Sequence, residues 1–224
     1  MAQGTCVYCG SKGELTVDHI PPRCLFPRNL RNDLLLIPSC AECNNGAAKD
    51  DEYFRNMLAV NESSRSGEEL ENAQSALTRS LVRPAADGLR AAFLGSLHEV
   101  ELITPNGLYV ETRTAFSLEP ERLARVVQRI GRALFFKETG RMLPVDARVK
   151  TLASWGFPGL PDKAIVKFAE AAAMLPKLTT LAGGAFKYGG TVGDGDSYVS
   201  GWLVEFYRGV GFVITTKAPA SKPE

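Results

Sequence analysis

The sequence predicts an α+β protein in two parts: a small N-terminal ββα unit and a larger α+β unit behind it. Three observations predict this. All five cysteines (Cys6, Cys9, Cys24, Cys40 and Cys43) fall in the first fifth of the chain, among short apolar runs and turn residues. Further on, strand-like alternation is interleaved with stretches of helical period. The 224 residues are enough for a small module plus a second part with its own core.

The elements follow in order. Leu15–Ile20 reads as a strand ending at Pro21-Pro22, and Leu34–Ile37 as a second strand ending at Pro38. A helix is expected to start in Cys43–Lys49 and run through Glu52, Phe54, Met57 and Leu58. Residues 1–62 thus form the first unit. Glu62–Gly67 is short and polar, a linker. The second unit spans residues 68–217. It opens with a helical stretch over Glu68–Leu94, with Leu70, Ala73, Leu77 and Leu81 on one face and Pro84 as a breaker. Val100–Thr104 and Leu108–Thr112 flank Pro105-Asn106-Gly107, a hairpin signal. Leu123, Val126, Val127, Ile130, Leu134 and Phe135 form the clearest helical stripe, with Pro120 at its start and Gly140 at its end. A further helix is expected over Asp162–Met174. Trp202–Tyr207 and Val210–Thr215 form a closing hairpin, and residues 218–224 a polar tail.

With 26 Lys and Arg against 25 Asp and Glu, the formal charge is +1, so no strong global field draws the chain to nucleic acid. The N-terminus has neither a basic nor an apolar leader region, and no apolar run approaches the ~18 residues of a membrane span. A cytoplasmic chain with reduced thiols is expected.

Cys6-x2-Cys9 and Cys40-x2-Cys43 are two knuckles separated by 30 residues. Each places two thiolates on one side of a tight turn, and Gly10 permits such a turn. Together they supply the four soft ligands of a closed, tetrahedral structural Zn2+. Cys24 lies outside the pattern and reads as a small apolar filler.

Between the knuckles stands Val17-Asp18-His19-Ile20-Pro21-Pro22, and after the last cysteine Asn44-Asn45-Gly46. Over residues 5–55 the chain resembles the HNH (ββα-metal) endonucleases, and within them the subgroup whose two Cys-x-x-Cys pairs bracket an Asp-His…Asn site. The resemblance implies a zinc-bound ββα-metal module that hydrolyses phosphodiester bonds in nucleic acid, DNA above all. It makes His19 the general base. It makes Asp18 and Asn44 ligands of a second, exchangeable ion, Mg2+ or Mn2+, and implies 5′-phosphate and 3′-hydroxyl products. The residue types suit the chemistry. An imidazole titrates near neutral pH, and a carboxylate and an amide carbonyl are hard oxygen donors. On an extended strand the neighbours Asp18 and His19 point to opposite faces, so one shared centre requires a bend there.

The chain departs from the pattern in three places. Asn44 stands where the last motif His is usual. Asp33, beside Asn32, falls near the middle Asn that orients the catalytic His. The usual downstream Lys is absent, with Lys49 two residues later. Asn45 can replace Asn44 if the helix starts later. Arg23, Arg28 and Arg31, in the inter-strand loop, either contact phosphates or are merely solvated.

The second unit carries no catalytic motif and is expected to select the substrate or partner. His98 reads as structural or exposed. Gly189–Asp196 reads as a loop between strands. Arg122, Arg125, Arg129 and Arg132 make either a basic stripe for nucleic acid or a solvated helix face. The resemblance leaves a homodimer open, since many of the family cut two strands as dimers, but no residue pattern here marks a dimer face. The alternative function is an inactive zinc module that binds nucleic acid or a protein.

Overall fold

The computed structural model of the chain describes residues 2–83, 87–155, 178–195 and 197–219. The helix expected over 162–174 and most of the polar tail lie outside the described residues.

The fold is α+β. β1 (Ala2–Thr5), β2 (Lys12–Ile20) and β3 (Leu35–Ser39) form an antiparallel sheet in the order β1-β2-β3. Two helical pieces follow, α1 (Ala41–Gly46) and α2 (Ala48–Val60). This is the ββα order read from the sequence, with β1 added in front. Pro38 lies inside β3 rather than ending it, opposite Val17. β3 is an edge strand, where a missing N–H is tolerated.

The chain continues through α3 (Glu68–Val82) and α4 (Asp87–Gly95) to a hairpin of β4 (Leu97–Ile103) and β5 (Tyr109–Phe116). That hairpin is a two-stranded sheet of its own, and Ile103, Tyr109 and Val110 are exposed on it. α5 (Pro120–Thr139) is the expected amphipathic helix. Pro120 opens it, and Gly140 closes it in the left-handed conformation at φ 68°, donating to Phe136 O at 2.8 Å.

The closing sheet has five antiparallel strands, β6 (Arg148–Trp155), β7 (Thr179–Leu181), β8 (Phe186–Val192), β9 (Ser200–Phe206) and β10 (Val210–Lys217), in the order β6-β10-β9-β8-β7. β8 corrects the first half of the reading of Gly189–Asp196 as a loop: Gly189 and Gly190 pair in the sheet with Leu203 and Trp202, while Gly193–Gly195 do lie in the connection to β9. A Cβ on Gly190 would lie 2.3 Å from the Trp202 ring, so glycine there admits the indole.

The core runs without a break from Val7 in the first unit to Ile214 in β10. Phe54 of α2 meets Phe206 edge-on at 5.0 Å between ring centres and lies 5.8 Å from Phe212. Tyr207, fully buried, donates its hydroxyl to Leu25 O in the inter-strand loop. The segment read as a linker is fastened to the same turn: Arg65 N donates to Tyr207 O at 2.9 Å.

That turn is tight. Tyr207 and Arg208 both have positive φ, 48° and 56°. Arg208 is held by the buried Glu69, and a Cβ on Gly209 would lie 1.6 Å from Ser63 O. Gly209→Ala is therefore expected to destabilise the chain by about 1–3 kcal/mol, as overpacking does. Denaturant titration checks this, and an unchanged midpoint would contradict the close approach.

Candidate metal centre and the two faces of β2

The two knuckles meet. The four sulfurs of Cys6, Cys9, Cys40 and Cys43 lie within 4.8 Å of one another. The first knuckle is a turn in which Gly10 N donates to Cys6 O at 2.9 Å, with Gly10 at φ 73°. The second doubles as a helix cap, since Cys40 Sγ accepts from Cys43 N at the start of α1. Val7 N donates to Pro38 O at 3.1 Å and ties the two knuckles together. Cys6 is fully buried, and Cys9 is at the surface. The Ser11 hydroxyl, 3.0 Å from Cys9 Sγ, pulls that thiol down to about 6, whereas burial pushes Cys43 up. Four thiolates this close repel one another, and a tetrahedral dication is what allows all four to ionise. The set fits a metal ion such as zinc.

β2 runs between this cluster and the rest of the molecule, and its two faces differ. Thr16, Asp18 and Ile20 point inward. Thr16 Oγ1 donates to Ser39 O at 2.9 Å and accepts from Asn44 Nδ2 at 3.0 Å. The same Nδ2 donates to Val17 O at 3.1 Å, so α1 is pinned to β2 by Asn44. Asn44 Oδ1 has no partner among the described residues.

Asp18 is buried, at 6% exposure, and fully engaged. Oδ1 accepts from His19 N at 2.8 Å, and Oδ2 accepts from the Tyr8 hydroxyl at 2.8 Å. Arg129 Nε of α5 lies 3.4 Å from Oδ2. Arg129 also gives two bonds through Nη2 to Asp51, at 2.7 and 2.8 Å. Burial works against the charge on Arg129, but Asp51 and Asp18 raise its pKa and keep it a cation. Burial, then Asp18, pushes the Tyr8 hydroxyl up.

His19 is on the other face, level with Leu36 of β3 and two residues from Val17. Leu36 and Val17 are 63% and 53% exposed, so this face is open to solvent. The bend that would bring Asp18 and His19 to one centre is absent: β2 pairs without irregularity with β3 from Thr16 to Ile20. Asp18 and Asn44 thus share the covered face, and His19 does not join them. Burial, then the charge of Arg23, lowers His19 below the ordinary value of 6.5; Asp18 opposes and Arg31 adds. The side chains of Arg23 and Arg28 have no carboxylate partner among the described residues. Arg31 is oriented by its Nε bond to Phe26 O at 2.8 Å.

The remaining candidates are dispersed. Asp33 accepts from Ala182 N with both oxygens, at 2.9 and 3.1 Å, so it fastens the loop to the far end of the five-stranded sheet. Asn32, Asn45 and the Lys49 side chain are exposed, without hydrogen-bond partners among the described residues. His98 is exposed, its ring 3.2 Å from Ser96 O. Cys24 packs against the core, and burial pushes its thiol up to about 12.

The arginines of the α5 stripe are engaged within the chain, although the Arg125 side chain stays 55% exposed. Arg122 and Arg125 clamp Asp50, Arg129 holds Asp51 and Asp18, and Arg132 donates to the carbonyls of Pro144, Val145 and Ala147. The bond of Tyr8 to Asp18 is not foreseen from sequence, and Arg129 reads there only as one of a stripe, not as the partner of Asp18 and Asp51. The matching signal was the acidic pair Asp50-Asp51 against Arg122, Arg125 and Arg129, but charge complementarity alone does not say which stripes meet. A cavity of about 440 Å3 lies between α1, α2 and α5, beside Cys9 and Cys43.

No protein-family model matches the chain, and no curated protein or solved structure matches it. Among the described residues no helix is long and apolar enough to cross a membrane.

Proposed function

We propose that the chain is an endonuclease acting on nucleic acid, DNA first, with a structural Zn2+ on Cys6, Cys9, Cys40 and Cys43. The observation that carries the reading is His19 on the open face of β2, near Arg23, which has no carboxylate partner among the described residues, and the oriented Arg31. In this reading Arg23, Arg28 and Arg31 hold the phosphodiester, and the positive field faces the charge that grows on phosphorus oxygens. His19 takes the proton from the attacking water as its oxygen bonds to phosphorus, the P–O3′ bond breaks, and the 3′ oxygen leaves as a hydroxyl with a proton from solvent. Its lowered pKa keeps the ring neutral at neutral pH, the form a base needs.

The second ion implied by the resemblance, Mg2+ or Mn2+ on Asp18 and Asn44, does not fit this arrangement. Both Asp18 oxygens already have partners, and the face is covered. This same observation favours the second reading, a zinc module that binds nucleic acid without cutting it.

Plasmid nicking by the zinc-loaded chain, beside His19→Ala with its zinc content confirmed, tests the first reading. Loss of the base is expected to slow cleavage by about 10²–10⁴. Neutral imidazole is the active form, so the rate should fall as pH drops through a midpoint below 6.5 and be flat above it. Equal cleavage by wild type and His19→Ala would remove the reading.

A gel-shift series in rising salt separates binding from cutting. Removing one side chain that neutralises a phosphate is expected to flatten the log–log salt slope by about 0.9. Arg23→Ala and Arg28→Ala should each do so, while Arg125→Ala, already spent on Asp50, should not. Unchanged slopes for the first two would place the nucleic acid elsewhere.

A further inference from the structure

The Asp18 carboxylate, which the resemblance makes a metal ligand, already has a cation. Arg129, Asp18 and Asp51 have side-chain exposures of 10%, 8% and 14%, so the group is largely covered between β2, α2 and α5, with Arg129 at the edge of the cavity beside Cys9 and Cys43. The guanidinium is pinned on one side by its paired bonds to Asp51. Held there, its Nε stops 3.4 Å from Asp18 Oδ2 and is a buried N–H without a hydrogen-bond acceptor. That orphan shows a compromise: one cation serves two carboxylates and bonds well to only one of them.

We propose that the guanidinium of Arg129 is the resident cation of the Asp18–Asp51 pair and stands where a divalent ion would bind, so that the intact chain takes up no Mg2+ or Mn2+ at Asp18. The inference rests on the endonuclease reading only for the choice of ion. An ion about 2.1 Å from Asp18 Oδ2 would face the Arg129 charge at close range. It would also have to displace the Tyr8 hydroxyl from the same oxygen. Asp51 cannot turn away to help, because it is the bidentate partner that holds Arg129. Without the guanidinium, the Asp18 and Asp51 carboxylates are left without their shared cation and offer the hard oxygen donors that Mg2+ and Mn2+ prefer. The protein would then have exchanged a dissociable metal for a covalently tethered charge that also joins α5 to the zinc-bearing unit.

Mn2+ uptake by the zinc-loaded full chain tests this, read from loss of the free-ion electron paramagnetic resonance signal. Wild type should leave the signal unchanged. Arg129→Met should take up one equivalent, Arg129→Met/Asp18→Asn none, and Mn2+ should raise the melting temperature of Arg129→Met alone. Wild-type uptake that Asp18→Asn abolishes would overturn the proposal, as would a folded Arg129→Met chain that takes up no Mn2+. If Arg129→Met does not fold, wild type and Asp18→Asn decide the matter by themselves: no uptake by either supports it. Plasmid cleavage is scored separately. A wild-type chain that neither cuts nor takes up Mn2+ removes the endonuclease reading and leaves this one standing.

Discussion

With zinc on the four-cysteine cluster as proposed, stripping it is expected to unfold the chain as a whole, not only its first 60 residues. Structural zinc on thiolates contributes on the order of 10 kcal/mol, which is comparable to the entire stability of a typical domain. The cluster joins the Cys6–Cys9 turn to the N-terminus of α1, and α1 leads directly into α2. Phe54 of α2 lies against Phe206 and Phe212 of the five-stranded sheet. Loss of the first unit therefore strips one wall from the common core. Purified protein should contain one zinc per chain. A strong chelator should abolish the cooperative thermal transition, and Cys6→Ser should do the same without chelator. If chelation releases zinc and the transition persists, the core does not depend on the knuckles.

The second large effect is expected at Arg129. Arg129→Met removes one charge from a largely covered group and leaves the Asp18 and Asp51 carboxylates without their shared cation. Breaking a buried pair in this way costs about 3–5 kcal/mol, a drop in melting temperature on the order of 10 °C for a chain of this size. The cost belongs to the stranded acids rather than to lost packing, since Met keeps most of the aliphatic volume. Adding Asp18→Asn and Asp51→Asn to Arg129→Met should therefore recover part of the loss. Thermal melts of the single and triple variants decide this. A triple variant less stable than the single one would mean that packing of Arg129, not its charge, sets the effect.

Much of the local structure was legible because its signals are local. Hydrophobic spacing marked α5, with Pro120 and Gly140 at its ends, and Asn106-Gly107 marked the β4–β5 hairpin. The ββα order of the first unit followed from two short apolar runs and a helical stretch between prolines and knuckles. β1, β6, β7 and β8 were missed. β1 and β7 are short, and β8 carries Gly189 and Gly190 for a cross-strand reason, the approach of Trp202, that no local pattern encodes.

The candidate site divides along the same line. Two Cys-x-x-Cys turns specify a tetrad by themselves, because each pair is set by its own turn and four thiolates have one common use. Strand-like alternation interleaved with helical period was likewise enough to predict an α+β chain. The partners of Asp18 were decided only in three dimensions. Neighbours on a strand take opposite faces, and which face is covered depends on what packs there. Here α5 packs against the Asp18 side, so Asp18 meets Arg129 and Tyr8 while His19 is left with Arg23 and Arg31 toward solvent. The charges on α5 show the same dependence: four arginines at helical spacing are a stripe in sequence, and only the arrival of Asp50 and Asp51 from α2 turned three of them, Arg122, Arg125 and Arg129, into the fastening between the two units.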